Sequence, residues 1–168
     1  MNTNSELTWK DIVSPTMTLD EYMKQYEEKI AFNYKTYEPK KEILREIAQL
    51  LLSRNEKIRI VVLGAEWCPD CNKNIPRMIK IINSLKNVEI DLKILYGIMV
   101  NALHKPDESL WHKTRSPPEA VNPKFDLKAI PTFYFFDSSG KLLDVIIENP
   151  KHQSTLEDDM LTIIKENG

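Results

Sequence analysis

The sequence predicts an α/β fold in which a central mixed β-sheet is flanked by helices. Segments with strand composition alternate with segments of helical periodicity, and two consecutive strand-like segments near the carboxyl end form a hairpin. Strands separated by helices favour parallel pairing, whereas a hairpin adds antiparallel strands. Because 168 residues correspond to one domain of ordinary size, we expect a single domain over 1–168.

Two helices are predicted before the first strand. Thr18 and Glu21 have capping-box spacing, and apolar residues then recur at helical intervals, which indicates a helix over about 18–31. A second helix is expected over about 39–54, with Pro39 near its first turn.

Two further helices follow the first strand. One begins at the cysteine pair and carries an apolar stripe as far as Leu85, with a kink expected at Pro76. The last helix is predicted to begin at a second capping box, formed by Ser154 and Glu157.

Four segments have the composition of strands. Residues 58–64 form a β-branched run without polar alternation, which is typical of a strand covered on both faces. A second strand is expected over 88–96, and residues 133–137 and 142–147 are predicted to pair as a hairpin.

Two stretches lie outside this alternation. Residues 1–17 are polar and are expected to form an irregular arm. Residues 97–123 hold four prolines and Trp111, with a short helix predicted around 107–113. Loops of this length inside a compact domain are typically functional or mobile, and the alternative is a solvated insertion in which Trp111 packs locally.

Charge and hydropathy exclude several classes of partner. The chain has 23 Lys and Arg against 25 Asp and Glu, and this balance gives no general attraction for nucleic acid or an acidic membrane. The longest apolar runs, 58–64 and 132–136, are far shorter than the roughly 20 residues that span a bilayer. The amino-terminal residues show no targeting pattern, so we expect a cytoplasmic monomer that binds neither membrane nor nucleic acid.

The two cysteines, Cys68 and Cys71, are three positions apart. A bridge across so short a loop would stabilise the fold little, so we interpret the pair as reactive. The change from strand to helix places Cys68 at a helix amino terminus, where unpaired N–H groups and the helix dipole favour a thiolate. Cys71, inside the first turn, is expected to be more shielded and to resolve a mixed disulfide formed on Cys68.

Two other interpretations of the pair stay open. A Cys-x-x-Cys pair is also half of a zinc site, but only His104, His112 and His152 could complete the ligand set, and none has finger-like spacing. A buried, unreactive pair is the second alternative. The position between strand and helix favours thiolate chemistry over both, so we expect no metal and no cofactor.

Three sequence elements occur in the order typical of one redox family. They are the Trp-Cys-Pro-Asp-Cys run at 67–71, Pro76 five positions after the second cysteine, and Ile-Pro-Thr at 130–132 just before a strand. The chain in this respect resembles the thioredoxin superfamily, in particular the thioredoxin-like proteins with this active-site motif. The similarity covers roughly residues 40–166.

The resemblance implies a thioredoxin-like fold with two additions. Residues 1–38 would be an amino-terminal extension with an extra helix, and residues 97–123 an insertion before the loop that holds Pro131. Family geometry places this insertion on the side of the active site, so it could roof the cysteines. Trp111 and His112 would then lie nearest the path of the substrate.

The resemblance also implies roles for residues around the cysteines. Pro131 is expected to be cis and to pack against the disulfide, and Ile130 to offer its backbone to an extended substrate segment. Trp67, Pro69 and Asp70 are expected to position the substrate. Taken from its residues alone, Pro131 would be an ordinary proline at the entrance of a strand.

By this resemblance the chain would be a thiol-disulfide oxidoreductase, and the reducing cytosol favours a disulfide reductase. Its partners would be disulfide-containing proteins or small-thiol substrates, together with an electron-donating reductase. One alternative is a redox-sensing or adaptor module that binds a partner protein without turnover. A thiol peroxidase is a third possibility, although no constellation of transition-state donors is legible in the sequence.

Two departures from the family pattern concern proton transfer. Thioredoxins have Gly-Pro between the cysteines and a buried aspartate six positions before the first, where this chain has Pro69-Asp70 and Val62. The proton acceptor is therefore missing or relocated. Asp70 or Glu66 could replace it, but a carboxylate beside Cys68 also opposes the thiolate.

Overall fold

Five strands form one mixed sheet in the computed structural model, which describes residues 6–167. The strands are β1 (Met17–Thr18), β2 (Ile58–Leu63), β3 (Ile90–Leu95), β4 (Thr132–Phe136) and β5 (Leu142–Ile147), in the spatial order β1-β3-β2-β4-β5. β2 and β3 are parallel, and the other three pairs are antiparallel. A mixed sheet flanked by helices confirms the predicted fold class.

The centre of the sheet is apolar on both faces. Every residue of β4 is buried, and in β2 only Arg59 is partly exposed. The two strands pair with Val62 opposite Phe133. Such strands form from β-branched and aromatic residues because side chains on both faces pack against other elements.

Five α-helices surround the sheet. They are α1 (Leu19–Gln25), α2 (Glu27–Thr36), α3 (Lys41–Arg54), α4 (Pro69–Ser84) and α5 (Leu156–Glu166). α2 packs against α4, and α3 packs against α5. α4 continues through Pro76 as one helix. None of these helices is long and apolar enough to cross a membrane.

The first predicted helix is in fact two helices. The chain leaves helical geometry at Tyr26 (φ −112°, ψ 20°), which ends α1 and precedes α2, and α2 continues to Thr36. Tyr26 packs its ring against Tyr22 and Tyr96, and α2 then packs along α4. The break at Tyr26 accompanies these contacts between distant segments. Helical periodicity in the sequence does not indicate such contacts.

The predicted capping box of the last helix is displaced by one residue. Thr155 caps α5 and Asp158 completes the box, instead of Ser154 and Glu157. The side chain of Glu157 is buried and accepts a hydrogen bond from the hydroxyl of Tyr37. Since this tertiary contact occupies Glu157, the neighbouring carboxylate completes the cap.

The amino-terminal arm is more regular than expected. Part of the predicted irregular arm, residues 1–5, lies outside the described residues. Trp9–Asp11 forms a 3-10 helix, and β1 adds an antiparallel edge to β3. The extension therefore contributes a strand to the sheet.

The segment 97–123 holds a bridged loop where a helix was predicted. Val100 and Trp111 form an antiparallel bridge, and the backbone N–H of Asn101 donates to the carbonyl oxygen of Leu110 at 2.7 Å. The prediction of a helix around 107–113 is wrong, because extended pairing at Trp111 is incompatible with helical backbone geometry. A 3-10 helix forms later, at Pro118–Ala120.

Candidate active site

Cys68 caps the amino terminus of α4. Its sulfur accepts a hydrogen bond from the backbone N–H of Cys71 at 3.3 Å, and its thiol donates to the carbonyl oxygen of Ile130 at 3.6 Å. Both cysteines are free thiols. Cys68 is 5% exposed, so little of this residue is open to solvent.

The surroundings of Cys68 favour its ionised form. The largest influence on the pKa of Cys68 is a hydrogen bond from the thiol of Cys71, which lowers it. Burial raises this pKa, and hydrogen bonds from the backbone N–H groups of Cys71 and Asp70 lower it further. The pKa of Cys68 is thereby lowered to about 7. The carboxylate of Asp70 acts in the opposite direction. Backbone donors at the start of a helix thus stabilise a thiolate here.

Cys71 has the opposite environment. It is fully buried in the first turn of α4, and its pKa is raised by its hydrogen bond to Cys68 and by burial. One cysteine of the pair is therefore prepared to ionise near neutral pH, while the other stays protonated.

Gly64, directly after β2, makes room for the sulfur of Cys71. A Cβ at this position would lie 2.9 Å from that sulfur and 3.1 Å from Cε1 of Tyr96. Real Cβ atoms essentially never approach another atom within 3.0 Å, so a larger residue at this position would displace the thiol and press on the ring. Gly64 is the last residue of the predicted strand 58–64, and no sequence pattern indicates its contact with Cys71.

The loop before β4 lies against Cys68. The Ile130–Pro131 peptide bond is cis, and both residues are buried. The carbonyl oxygen of Pro131 accepts a hydrogen bond from the backbone N–H of Glu148 at 2.6 Å. The hydrogen bond from Cys68 to the carbonyl oxygen of Ile130 places this loop beside the sulfur of Cys68.

The remaining residues expected to position a substrate are neighbours of Cys68 in the sequence. Trp67 is 47% exposed and donates from Nε1 to the carbonyl oxygen of Ile98 at 3.0 Å. Pro69 is exposed in the first turn of α4, and Asp70 is half-buried beside it. An exposed indole on one side and the first turn of α4 on the other therefore flank Cys68 along the chain.

Trp111 lies in the core, contrary to the expectation that it borders the path of the substrate. It is 5% exposed, and its Nε1 donates to the carbonyl oxygen of Leu127 at 2.7 Å. This bond packs the insertion against the segment that leads to Pro131. His112 is half-buried, and its Nδ1 accepts from the backbone N–H of Arg115. A local-packing role, the alternative considered for Trp111, accounts for its position.

Sequence reasoning missed a buried amide that supports this site. Asn74 on α4 is 1% exposed and donates from Nδ2 to the carbonyl oxygen of Glu148 at 2.8 Å and to Oδ1 of Asn149 at 2.9 Å. Glu148 in turn bonds Pro131, so Asn74 connects the helix of the cysteines to the proline loop. A polar residue on an otherwise apolar helix face was the available signal.

The amino-terminal extension also reaches the site. Asn33 of α2 donates to the backbone carbonyl oxygen of Asn72 at 3.3 Å, and Lys29 pairs with the exposed Glu66 at 3.6 Å. Tyr22 of α1 packs against Tyr96. The sequence showed these tyrosines only as members of an apolar pattern.

The position at which the resemblance implies a buried aspartate is held by Val62, which supplies no carboxylate. Val62 is fully buried on β2. Glu66 is exposed, and Asp70 raises the pKa of both thiols. Within residues 6–167, no three His, Cys, Asp or Glu side chains are grouped so that they could hold a metal ion.

Comparisons with known proteins agree with this architecture. A family model described as thioredoxin matches residues 16–96. An HIV epitope-scaffold structure is 17% identical with a TM-score of 0.58, and a protein of unknown function from Pseudomonas aeruginosa is 18% identical with a TM-score of 0.57; each alignment covers 97% of this chain and 94% of the other. At these identities the likeness concerns the fold. A thiol:disulfide interchange protein of the thioredoxin family from Chlorobium tepidum is 20% identical over 99% of both chains, with a TM-score of 0.44. No curated protein matches the sequence.

Proposed function

We propose that the chain is a thiol-disulfide oxidoreductase of the thioredoxin superfamily that reduces disulfides in the cytoplasm. The observation that carries this proposal is the contrast between the two thiols at the start of α4. The pKa of Cys68 is lowered to about 7, whereas the pKa of Cys71 is raised. An attacking thiol works best when its pKa is near the ambient pH, so Cys68 is suited to attack and Cys71 to resolve.

In the first step the thiolate of Cys68 attacks one sulfur of a substrate disulfide. A bond forms between Cys68 and that sulfur, the substrate S–S bond breaks, and the other substrate sulfur leaves as a thiolate that takes up a proton. Backbone N–H groups of α4 stabilise the reactive thiolate before the attack.

In the second step Cys71 loses its proton and attacks the sulfur of Cys68. The mixed disulfide breaks, a disulfide forms between the two cysteines, and the second substrate thiolate departs and is protonated. The substrate gains two electrons and two protons in total. A dithiol donor, such as an electron-donating reductase with its own thiol pair, must return them for the next cycle.

The surroundings of Cys68 support an extended protein segment as substrate. We assign Ile130 and Pro131 to one side of the substrate path and Trp67, Pro69 and Asp70 to the other. The backbone of the loop before β4 can pair with an extended substrate chain. The exposed indole of Trp67 provides apolar contact area. We further propose that the chain acts as a single thioredoxin-like domain and as a monomer.

Trapping with cysteine variants tests the proposal. A Cys71→Ser variant should accumulate mixed disulfides with its substrates, whereas Cys68→Ser should form none and should not reduce insulin with dithiothreitol as donor. Mass spectrometry of the trapped proteins would identify the substrates. A fully active Cys68→Ser variant would contradict the assigned roles. A reduction potential more oxidising than that of the cytosolic glutathione pool would contradict the reducing direction.

One observation favours a second candidate, an adaptor or redox sensor that binds a partner without turnover. Cys68 is 95% buried, which limits access for bulky disulfides. Such a module should bind its partner yet show no insulin reduction above the rate with dithiothreitol alone. Steady turnover of any disulfide substrate would contradict this candidate.

A further inference from the structure

Two tyrosine hydroxyl groups lie close together behind the cysteine pair. Tyr22 of α1 is fully buried, and its hydroxyl oxygen is 2.8 Å from that of Tyr96, which directly follows β3. Their rings meet edge to face with centroids 5.4 Å apart, and the ring of Tyr26 lies 5.1 and 5.3 Å from them. The extension and the sheet together build this cluster.

The ring of Tyr96 and the sulfur of Cys71 are neighbours above Gly64. Cε1 of Tyr96 and the sulfur approach the same point above Gly64, where a Cβ would lie 3.1 and 2.9 Å from them. Cε1 is bonded to the ring carbon that carries the hydroxyl group. Tyr96 therefore occupies the space behind the resolving cysteine.

The hydroxyl pair has a hydrogen-bond donor to spare. Two hydroxyl groups carry two protons, and the bond between Tyr22 and Tyr96 uses one of them. Neither oxygen donates to any other protein acceptor among the residues that the structure describes. Largely buried polar groups gain stability from a partner, so the second proton can serve a new acceptor when one appears nearby.

We propose that Tyr96 is a catalytic residue whose hydroxyl donates a hydrogen bond to the thiolate of Cys71 that forms during resolution. Tyr22 is a positioning residue that holds the hydroxyl of Tyr96 in place. The inference rests on the proposed oxidoreductase function. In this chain the hydroxyl of Tyr96 would stabilise the thiolate of Cys71 as a hydrogen-bond donor, instead of the carboxylate that accepts the proton in thioredoxins.

The tyrosines do not take the proton themselves. Burial raises the pKa of both Tyr22 and Tyr96 far above neutrality, so both hydroxyls stay protonated. The proton of Cys71 passes to the solvent or to the departing substrate thiolate. The other titratable groups near this cluster are Cys68, Asp70, Glu66 and Tyr26. The carboxylate of Asp70 raises the pKa of Cys71, and that of Glu66 raises the pKa of Tyr26.

Stopped-flow reaction with the aromatic disulfide 5,5′-dithiobis(2-nitrobenzoate) separates the two steps. Attack by Cys68 releases the first coloured thiolate, and resolution by Cys71 releases the second. In Tyr96→Phe, we expect the second phase to be slowed about tenfold at pH 7 and its pH midpoint to rise by about one unit, because a thiolate loses a donor. The first phase should stay within about twofold of wild type.

Two further variants keep the test decisive. Tyr134→Phe removes another buried hydroxyl, one that donates to the carbonyl oxygen of Phe125 at 2.8 Å, and should leave both phases unchanged. Tyr22→Phe should shift the second phase in the same direction as Tyr96→Phe but less. If circular dichroism shows that Tyr96→Phe is not folded, the rate and pH midpoint of the second phase in Tyr22→Phe test the proposal instead.

The outcomes distinguish the two proposals. A wild-type second phase whose pH profile is the same in Tyr96→Phe and Tyr22→Phe overturns the role of the tyrosines and leaves the oxidoreductase standing. Absence of both phases in the wild-type protein contradicts the proposed function itself. A shift of equal size in Tyr134→Phe would show a general loss of stability and would also overturn the inference.

Discussion

The indole nitrogen of Trp67 donates a hydrogen bond of 3.0 Å to the backbone carbonyl oxygen of Ile98. The residue before the proposed nucleophile is thus attached to the base of the segment 97–123. The backbone N–H of Ile98 also donates to the carbonyl oxygen of Gly64 at 3.3 Å. The insertion therefore begins at the edge of the site, and its length can influence which substrates reach Cys68.

Shortening the insertion should change substrate size preference. Because Asn101 and Leu110 are hydrogen-bonded neighbours, residues 102–109 can be replaced by Gly-Gly to close a short hairpin without moving Trp111. We expect reduction of insulin to rise about threefold or more, while turnover of glutathione disulfide changes less than twofold. The reason is that the intact insertion would hinder a large substrate more than a small one. Comparable changes in kcat/KM for both substrates would contradict a role in access.

The reactivity of Cys68 should follow its lowered pKa. Alkylation by iodoacetamide needs the thiolate, so its rate should fall about tenfold per pH unit below a midpoint of about 7 and be constant above it. Cys71 should stay unmodified over the same range, as measured by mass spectrometry of the labelled peptide. Because the thiol of Cys71 is the largest influence on this pKa, Cys71→Ala should move the midpoint to higher pH. An unchanged midpoint in Cys71→Ala would contradict this cause.

Removing the amide of Asn74 should destabilise the fold around the proline loop. Asn74→Ala leaves the carbonyl oxygen of Glu148 without its buried donor, which should lower the free energy of unfolding by about 1–3 kcal/mol. The matched control on the same helix is Asn83→Ala, whose exposed amide donates to the hydroxyl of Tyr34 at 3.1 Å and should cost less than about 0.5 kcal/mol. Urea denaturation measures both, and equal stability of the two variants would contradict the prediction.

Glu119 should tie the amino-terminal arm to the insertion in a pH-dependent manner. Burial raises the pKa of Glu119, but hydrogen bonds from the side chain and backbone of Ser14 and from the backbone of Val13 lower it below 4.5 overall. Its contribution is therefore present above the unfolded pKa and is lost as the pH falls through the folded value. Glu119→Gln should cost about 2 kcal/mol at pH 7, and the deficit should shrink below pH 4.

Urea denaturation at both pH values measures the effect of Glu119→Gln. Glu89→Gln is the control, because Glu89 is exposed and its ion pair with Lys57 should contribute little. A deficit that stays constant from pH 7 to pH 3.5 would indicate a steric rather than an electrostatic role of Glu119.

Elements with a strong local signal were predicted closely. The runs at β2 and β4 and the stripe on α4 were visible because burial on two faces, or on one helix face, imposes a pattern on neighbouring residues. The break at Tyr26 and the displaced cap at Thr155 were not predicted, since both depend on contacts with residues far along the chain.

The candidate site also contains residues that local sequence motifs indicate and residues that only tertiary contacts reveal. The positions of Cys68, Cys71 and Pro131 follow from short motifs, and their spacing was sufficient to place two thiols at a helix start. Asn74 and Gly64 were missed because their importance lies in single contacts, one to the carbonyl of Glu148 and one to a sulfur. Trp111 was misplaced because a tryptophan in a proline-rich loop has no pattern that shows which way it packs.

The sequence by itself determined the fold class and the pair of thiols, because apolar periodicity and the order strand, cysteines, helix are local properties. Only the tertiary structure decided what lies behind Cys71. It placed Tyr22 from the extension against Tyr96, which directly follows β3, so that their hydroxyl oxygens are 2.8 Å apart. Packing joins residues that are 74 positions apart, and no spacing rule reaches across that separation.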